Sequence, residues 1–168
     1  NRRRPGSDDG YAACQAATTA PHAVGSVGAG TGATVGKVLG RRGWCKGGSG
    51  AASARLLNGA TVALLVVVNA FGDVMDEAGD VLAGAWDPQL GFVRAASHVL
   101  EAPPEHPRLV EGENTPLVCV ATDAALSKIE AGQVARMAQT GIARAINPVH
   151  TPLDGDVAVC LATGVRQS

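Results

Sequence analysis

Aromatic side chains are nearly missing from this chain: two Trp, one Tyr and two Phe, 3% of 168 residues. Its core must therefore be layered tightly from Val, Ala, Leu and Gly. Charge is also scarce and balanced, with 14 Lys and Arg against 15 Asp and Glu, a formal net charge of −1. That argues against a nucleic-acid partner and against an anionic membrane surface. The basic run Arg2-Arg3-Arg4 reads as a solvated terminal arm. Four cysteines (Cys14, Cys45, Cys119 and Cys160) form no C-x-x-C and have no paired His spacing, which argues against zinc. Cys119 and Cys160 sit in apolar stretches, as reduced thiols packed in a cytoplasmic protein would. No apolar run reaches the roughly 18 residues of a membrane span, and no signal peptide is visible. The chain lacks an initiator Met and stops just after a strand-like stretch, so the expectation is a fragment with sequence missing at both ends.

What is present reads as one layered α/β domain. Apolar residues make up 46% of the chain. Ser7-Asp8-Asp9 predicts a helix start, with an Ala-rich helix from about Gly10 to Ala20, stopped by Pro21. Residues 25–50 hold ten of the 22 glycines and read as a loop region. Thr61 to Val68 is apolar and β-branched, the pattern of a central strand buried on both faces. A turn at 69–73 follows, then a polar hairpin around Asp76 to Asp80. Residues 87–114 read as a long linker-like loop. Leu117 to Thr122 is a second core strand and Val157 to Thr163 a third. Ser127-Lys128-Ile129-Glu130 is a capping box. It opens a helix to about Ile146 with Ile129, Val134, Met137, Ala138 and Ile142 near one stripe.

The sharpest local feature is Glu113-Asn114-Thr115-Pro116-Leu117, where an acidic, proline-rich loop meets a core strand. Cutting the Asn114–Thr115 bond would leave Thr115 with a hydroxyl and a free α-amine on adjacent atoms, a nucleophile beside its own base. Asp154-Gly155-Asp156 places two carboxylates at i and i+2 beside a strand start, on one face, suited to proton handling or to orienting an ammonium. His150 reads as a structural turn residue or a general base. Asn69, at the end of the central strand, is a turn residue or an amide that donates to an oxyanion. Lys37 is a lone lysine in the glycine region. That region fails the phosphate-loop pattern, because only three residues separate Gly32 from Gly36 where four are needed, and Val38 follows the lysine. Its glycines read as close-approach positions toward a substrate or another chain.

In combination these motifs are more specific. Gly-Ala-Gly-x-x-Ala-x-x-Gly-Lys ending at Lys37, Val-Val-Val-Asn-Ala-Phe-Gly-Asp ending at Asp73, Glu-Asn-Thr at Thr115, Val-Ala-Thr-Asp-Ala ending at Ala124 and His-Thr-Pro-Leu-Asp-Gly-Asp ending at Asp156 occur in this order. The chain resembles the self-cleaving N-terminal-nucleophile hydrolases that include β-aminopeptidases, D-aminopeptidase/esterases and the nylon-oligomer hydrolase, the last looking nearest. The resemblance implies an αββα four-layer sandwich of the aminopeptidase/ornithine acetyltransferase type, here incomplete at both ends. It implies a single catalytic domain fragment, with 1–114 in the α chain and 115–168 in the β chain after cleavage. Thr115 is then the nucleophile, Asp154 and Asp156 hold and polarise it, Asn69 lies near the scissile carbonyl and Lys37 contacts the nucleophile region. The implied activity is hydrolysis of short peptides or amide oligomers through an acyl-enzyme, without cofactor or metal, in a tetramer of αβ units. A substrate-binding tyrosine of the family lies upstream of Asn1, and its C-terminal helical segment lies beyond Ser168. The alternatives are an ornithine-type acyltransferase, whose threonine typically follows alanine, and a non-catalytic fragment or scaffold.

Overall fold

The structure, a computed structural model, describes residues 4–101 and 114–166. Its strands are β1 (Thr34–Val35), β2 (Cys45–Lys46), β3 (Gly48–Arg55), β4 (Thr61–Val68), β5 (Asp73–Met75), β6 (Val81–Ala83), β7 (Trp86–Asp87), β8 (Gly91–Phe92), β9 (Leu117–Ala124), β10 (Ile146–Asn147) and β11 (Val157–Arg166). The helices are α1 (Ser7–Gln15), α2 (Ala95–Glu101) and α3 (Lys128–Ala145), with 3-10 turns at Gly28–Gly30 and Lys37–Arg42.

The main sheet has the order β11-β9-β4-β3. Strand β4 pairs antiparallel with β3 and β9, and β11 runs parallel to β9. The three strands legible in the sequence are thus direct neighbours. The fourth, β3, was not foreseen: its first three residues fall in the stretch read as loop and the rest carried no strand signal, because Gly-Ser-Gly-Ala-Ala-Ser-Ala-Arg has neither β-branched residues nor apolar alternation. It is a strand because its backbone pairs with β4 along all eight residues.

One face of this sheet is covered and the other is bare. Val62, Leu64, Val66, Val118, Val120, Ala158 and Cys160 point toward α3 and pack with Ile142 and Ile146. On the other face Ala51, Leu65, Cys119 and Val159 form one cross-strand row. Leu65 there is 41% exposed and Leu161 59%. Strand β4 is therefore central but not buried on both faces, contrary to the sequence expectation. The sheet also borders an apolar groove of about 520 Å³ between β3, Val68 and Val74.

Helix α3 begins at the expected capping box, where Ser127 Oγ accepts from Glu130 N at 3.3 Å and Ser127 N donates to Glu130 Oε2 at 2.8 Å. Its stripe is narrower than the pattern implied. Val134, Ala138 and Ile142 face the core, whereas Ile129 and Met137 are exposed. Helix α1 starts earlier than expected, at Ser7 with Gly6 as its cap, and ends at Gln15, short of Pro21. It buries no residue. The stretch read as one loop from 87 contains the β7–β8 hairpin and α2; the rest of that reading, 102–113, lies outside the described residues. Strands β5 and β6 form the expected hairpin. Gly30 does make a close approach, but to this chain's own backbone: a Cβ there would lie 2.5 Å from Gly25 O and from Ser49 N. Among the described residues no helix is long and apolar enough to cross a membrane.

Candidate active site

Two remote segments reach the Asn114–Thr115 bond directly, and a third, carrying Lys37, reaches it through Asn69. The strand pairing of β9 with β11 continues backward past both strand starts: Val157 N donates to Pro116 O at 3.0 Å, and Asn114 bridges Asp154 in parallel register. This places the Asp154-Gly155-Asp156 turn directly beside the Asn114–Thr115 peptide bond. Gly155 N donates to the Asn114 carbonyl oxygen at 2.8 Å, and the Thr115 hydroxyl donates to the same oxygen at 2.7 Å. The peptide nitrogen of Thr115 donates to the Asn69 carbonyl at 2.8 Å. The bond that would be cut is therefore held at both its carbonyl and its nitrogen.

The Asn69 side chain has a fixed orientation. Its Oδ1 accepts from Lys37 Nζ at 2.9 Å and from Thr34 N at 3.1 Å, and two donors on one atom identify that atom as the oxygen. Lys37 is 6% exposed and its ammonium lies 5.4 Å from the centroid of the Trp44 ring. Arg41 stands 5.7 Å from the same ring. Gly36 positions the lysine. Its φ of 68° is in the left-handed region, and a Cβ there would lie 1.9 Å from Ala85 N. Lys37 N then donates to Phe71 O at 2.8 Å.

The two acids are brought to this place, but in the uncleaved chain their hydrogen bonds run to its frame. Asp154 Oδ1 accepts from Phe71 N at 3.1 Å, and Oδ2 accepts from the Thr151 hydroxyl at 2.6 Å and from Thr151 N at 3.2 Å. Asp156 Oδ2 pairs with His150 Nδ1 at 2.6 Å and accepts from His150 N at 3.2 Å. Its side chain is 3% exposed, and Oδ1 is buried without a hydrogen-bond partner among the described residues. Burial, and then the neighbouring charge of Asp154, push the Asp156 carboxyl above the usual aspartate range, against the pull of His150. His150 adopts a φ of 54° at this turn. Its role here is to partner Asp156, in line with the structural option. Among the described residues no cluster of three His, Cys, Asp or Glu side chains is placed to hold a metal ion.

The family model for peptidase family S58 matches residues 1–168. The chain belongs to that family. An uncharacterized aminopeptidase of Mycobacterium leprae is 41% identical, over 98% of this chain and 46% of the relative. A 6-aminohexanoate-oligomer endohydrolase of an Agromyces species is 35% identical, over 92% of this chain and 43% of the relative. Among solved structures, a β-aminopeptidase of a Burkholderia species superposes with a TM-score of 0.57 at 29% identity, over 92% of this chain and 36% of that one. The likeness extends to a mixed α/β fold. This S58 chain spans less than half the length of these relatives.

Two participants escaped the sequence reading because they are backbone groups: the Gly155 N–H and the Asn69 carbonyl. The only signal for the first is a glycine lying between the paired acids. Pro116 has no N–H to offer, and it is buried; the carbonyl of Asn114 takes its backbone donor from across the turn, at Gly155. Trp44 was also missed, since a single Trp in a glycine-rich stretch has no pattern to mark it.

Proposed function

We propose that this chain carries the catalytic centre of a self-processing N-terminal-threonine amide hydrolase acting on short peptides or amide oligomers. The observation that carries the reading is the double grip on the Asn114 carbonyl, with Gly155 N at 2.8 Å and the Thr115 hydroxyl at 2.7 Å. In the first step Thr115 Oγ turns from that oxygen onto the carbonyl carbon of Asn114. Negative charge develops on the oxygen facing the Gly155 N–H, a donor fixed before the reaction starts. The C–N bond breaks, the hydroxyl proton leaves with the freed amine, and water opens the ester. Because Thr115 N already donates to the Asn69 carbonyl, the new α-amine is held beside its own hydroxyl. With a reference pKa of roughly 7.7 to 8.0, it accepts that proton when a substrate amide is attacked. Lys37 fixes the Asn69 amide, and Asp154 and Asp156 brace the turn that presents Gly155. Family membership supports amide hydrolysis over the other readings. The names of the relatives, aminopeptidase and 6-aminohexanoate-oligomer endohydrolase, point to substrates cut at amide bonds.

The same reading divides the chain into 1–114 and 115–168 after cleavage, within one domain. The bare face of the main sheet suits an αββα sandwich in which a second sheet covers Leu65, Val159 and Leu161. A tetramer of αβ units and a cytoplasmic location complete the proposal. The test is intact mass of the full-length protein. Wild type should separate under denaturing conditions into two pieces meeting at Asn114 and Thr115, and Thr115→Ala should stay whole. An uncut wild-type chain that still hydrolyses amides would refute the proposal.

A further inference from the structure

The residue that precedes the nucleophile reports on the substrate; this inference rests on the N-terminal-threonine reading above. Self-cleavage joins Thr115 Oγ to the Asn114 carbonyl carbon while the C–N bond breaks and the proton leaves with the amine. Water then restores the hydroxyl and releases the Asn114 carboxylate. A substrate amide makes the same kind of ester on the same oxygen. The seat that holds the Asn114 side chain in the uncleaved chain therefore becomes the seat for the acyl-side group of the substrate once Asn114 departs.

That seat is enclosed and polar. Asn114 is 5% exposed. Its Nδ2 donates to the Leu153 carbonyl at 3.1 Å, while its main-chain carbonyl accepts from Gly155 N at 2.8 Å. Both contacts come from one short turn. The turn is braced by Asp154, whose backbone N donates to Thr151 O at 3.0 Å and whose carboxylate is tied to Phe71 N and to Thr151. One rigid piece thus reads an acyl oxygen and a side-chain donor at a fixed separation. The Asn114 Oδ1 is buried with no hydrogen-bond partner among the described residues, so of the two ends of the amide it is the N–H end that the seat recognises.

We propose that this is an acyl-side pocket selective for a short side chain ending in an N–H donor, with the asparaginyl group as its model. An aliphatic acyl group would cover the Leu153 carbonyl without pairing it. A site built around a hydrogen bond discriminates strongly against analogues that lack the matching group.

The test uses the processed full-length enzyme with the p-nitroanilides of L-asparagine, L-alanine and L-leucine. The expected result is a kcat/KM for the asparaginyl substrate at least about tenfold above both others. Alanyl or leucyl turnover equal to or above asparaginyl turnover overturns the pocket and leaves the hydrolase reading standing. Failure of the processed enzyme to turn over any of the three overturns the pocket as well; the hydrolase reading falls separately, if the same preparation cleaves neither short peptides nor 6-aminohexanoate oligomers.

Discussion

Gly155→Ala tests where the structure puts the nucleophile. The three atoms nearest to a Cβ at 155 would be Thr115 Oγ1 at 3.1 Å, Asn114 O at 3.7 Å and Thr115 Cγ2 at 4.0 Å. Gly155 is not among the glycines with positive φ, so alanine fits its backbone. Less freedom in the unfolded chain should stabilise by about 0.4–1 kcal/mol, which offsets the slight crowding, and the melting temperature should stay within a few degrees of wild type. The hydroxyl, however, must swing away by a few tenths of an ångström, out of its 2.7 Å contact with the Asn114 carbonyl. A misplacement of roughly 1 Å costs on the order of a hundredfold in rate, so self-cleavage should slow by about tenfold or more. Gly72→Ala is the contrasting control. Its Cβ would fall 2.1 Å from Pro148 O and 2.7 Å from the Asn147 carbonyl carbon, backbone that cannot yield cheaply. That variant should lose stability and processing together. The assay is a time course of two-chain product by intact mass, paired with thermal melts. Wild-type cleavage by a well-folded Gly155→Ala protein would refute the placement of the hydroxyl.

Asp73 offers a stability prediction away from the chemistry. It is 1% exposed and accepts from Ala85 N at 2.9 Å and Ala95 N at 2.6 Å, pinning the β5–β6 hairpin to the start of α2. Asp73→Ala strands two buried N–H groups at about 1–3 kcal/mol each; relief of a buried charge offsets part of this, leaving a net loss of about 2–4 kcal/mol. A urea midpoint equal to wild type would show that those bonds carry no stability. For Asp156 the sign of the pH effect follows from its raised carboxyl. A pKa higher in the fold than in the unfolded chain gives stability that is complete below the ordinary aspartate value of 3.8 and is lost as pH rises through the folded value. Asp156→Asn should remove that loss, so its melting temperature should gain on wild type as pH rises through the acid range and then run parallel. A difference that stays constant across the acid range contradicts the burial of this carboxyl.

The strands expected over Thr61–Val68, Leu117–Thr122 and Val157–Thr163 were legible because Val and Leu crowd them, and the structure extends the last two to Ala124 and Arg166. The burial of their faces was not, since a continuous apolar run looks the same whether one face or both are covered. Strand β3 was invisible for the opposite reason, its side chains being too small to signal a face. The helix α1 boundaries slipped because its Ala-rich sequence packs on nothing that would fix its ends. In the site, the residues Lys37, Asn69, Thr115, Asp154 and Asp156 could be named from the resemblance, and the structure links Lys37 to Asn69, Asn69 to Thr115 and Asp154 to Asn114. Their bonds could not be named. The sequence reading aimed the acids at the threonine, whereas in the uncleaved chain they hold Phe71, Thr151 and His150.

The common feature of those bonds is the turn after β4. Asn69 offers its Oδ1 to Thr34 and Lys37 and its carbonyl to Thr115; Phe71 offers its N–H to Asp154 and its carbonyl to Lys37; Gly72 accepts from Gly36. Motifs from three remote stretches of sequence are thus registered against Asn69, Phe71 and Gly72, and half of the contacts run from backbone to backbone. Backbone donors and acceptors cannot be removed by ordinary substitution, so the frame persists through many side-chain changes around it. The few positions that can disturb it are those where a side chain supplies the bond, at Asn69, Lys37 and Asp154, or where a missing Cβ permits the approach, at Gly36, Gly72 and Gly155. These six fall inside the sequence motifs that first marked the site. The motifs are short because they record the exceptions in a site otherwise built from main chain, and this is why each looked unremarkable until the fold brought them together.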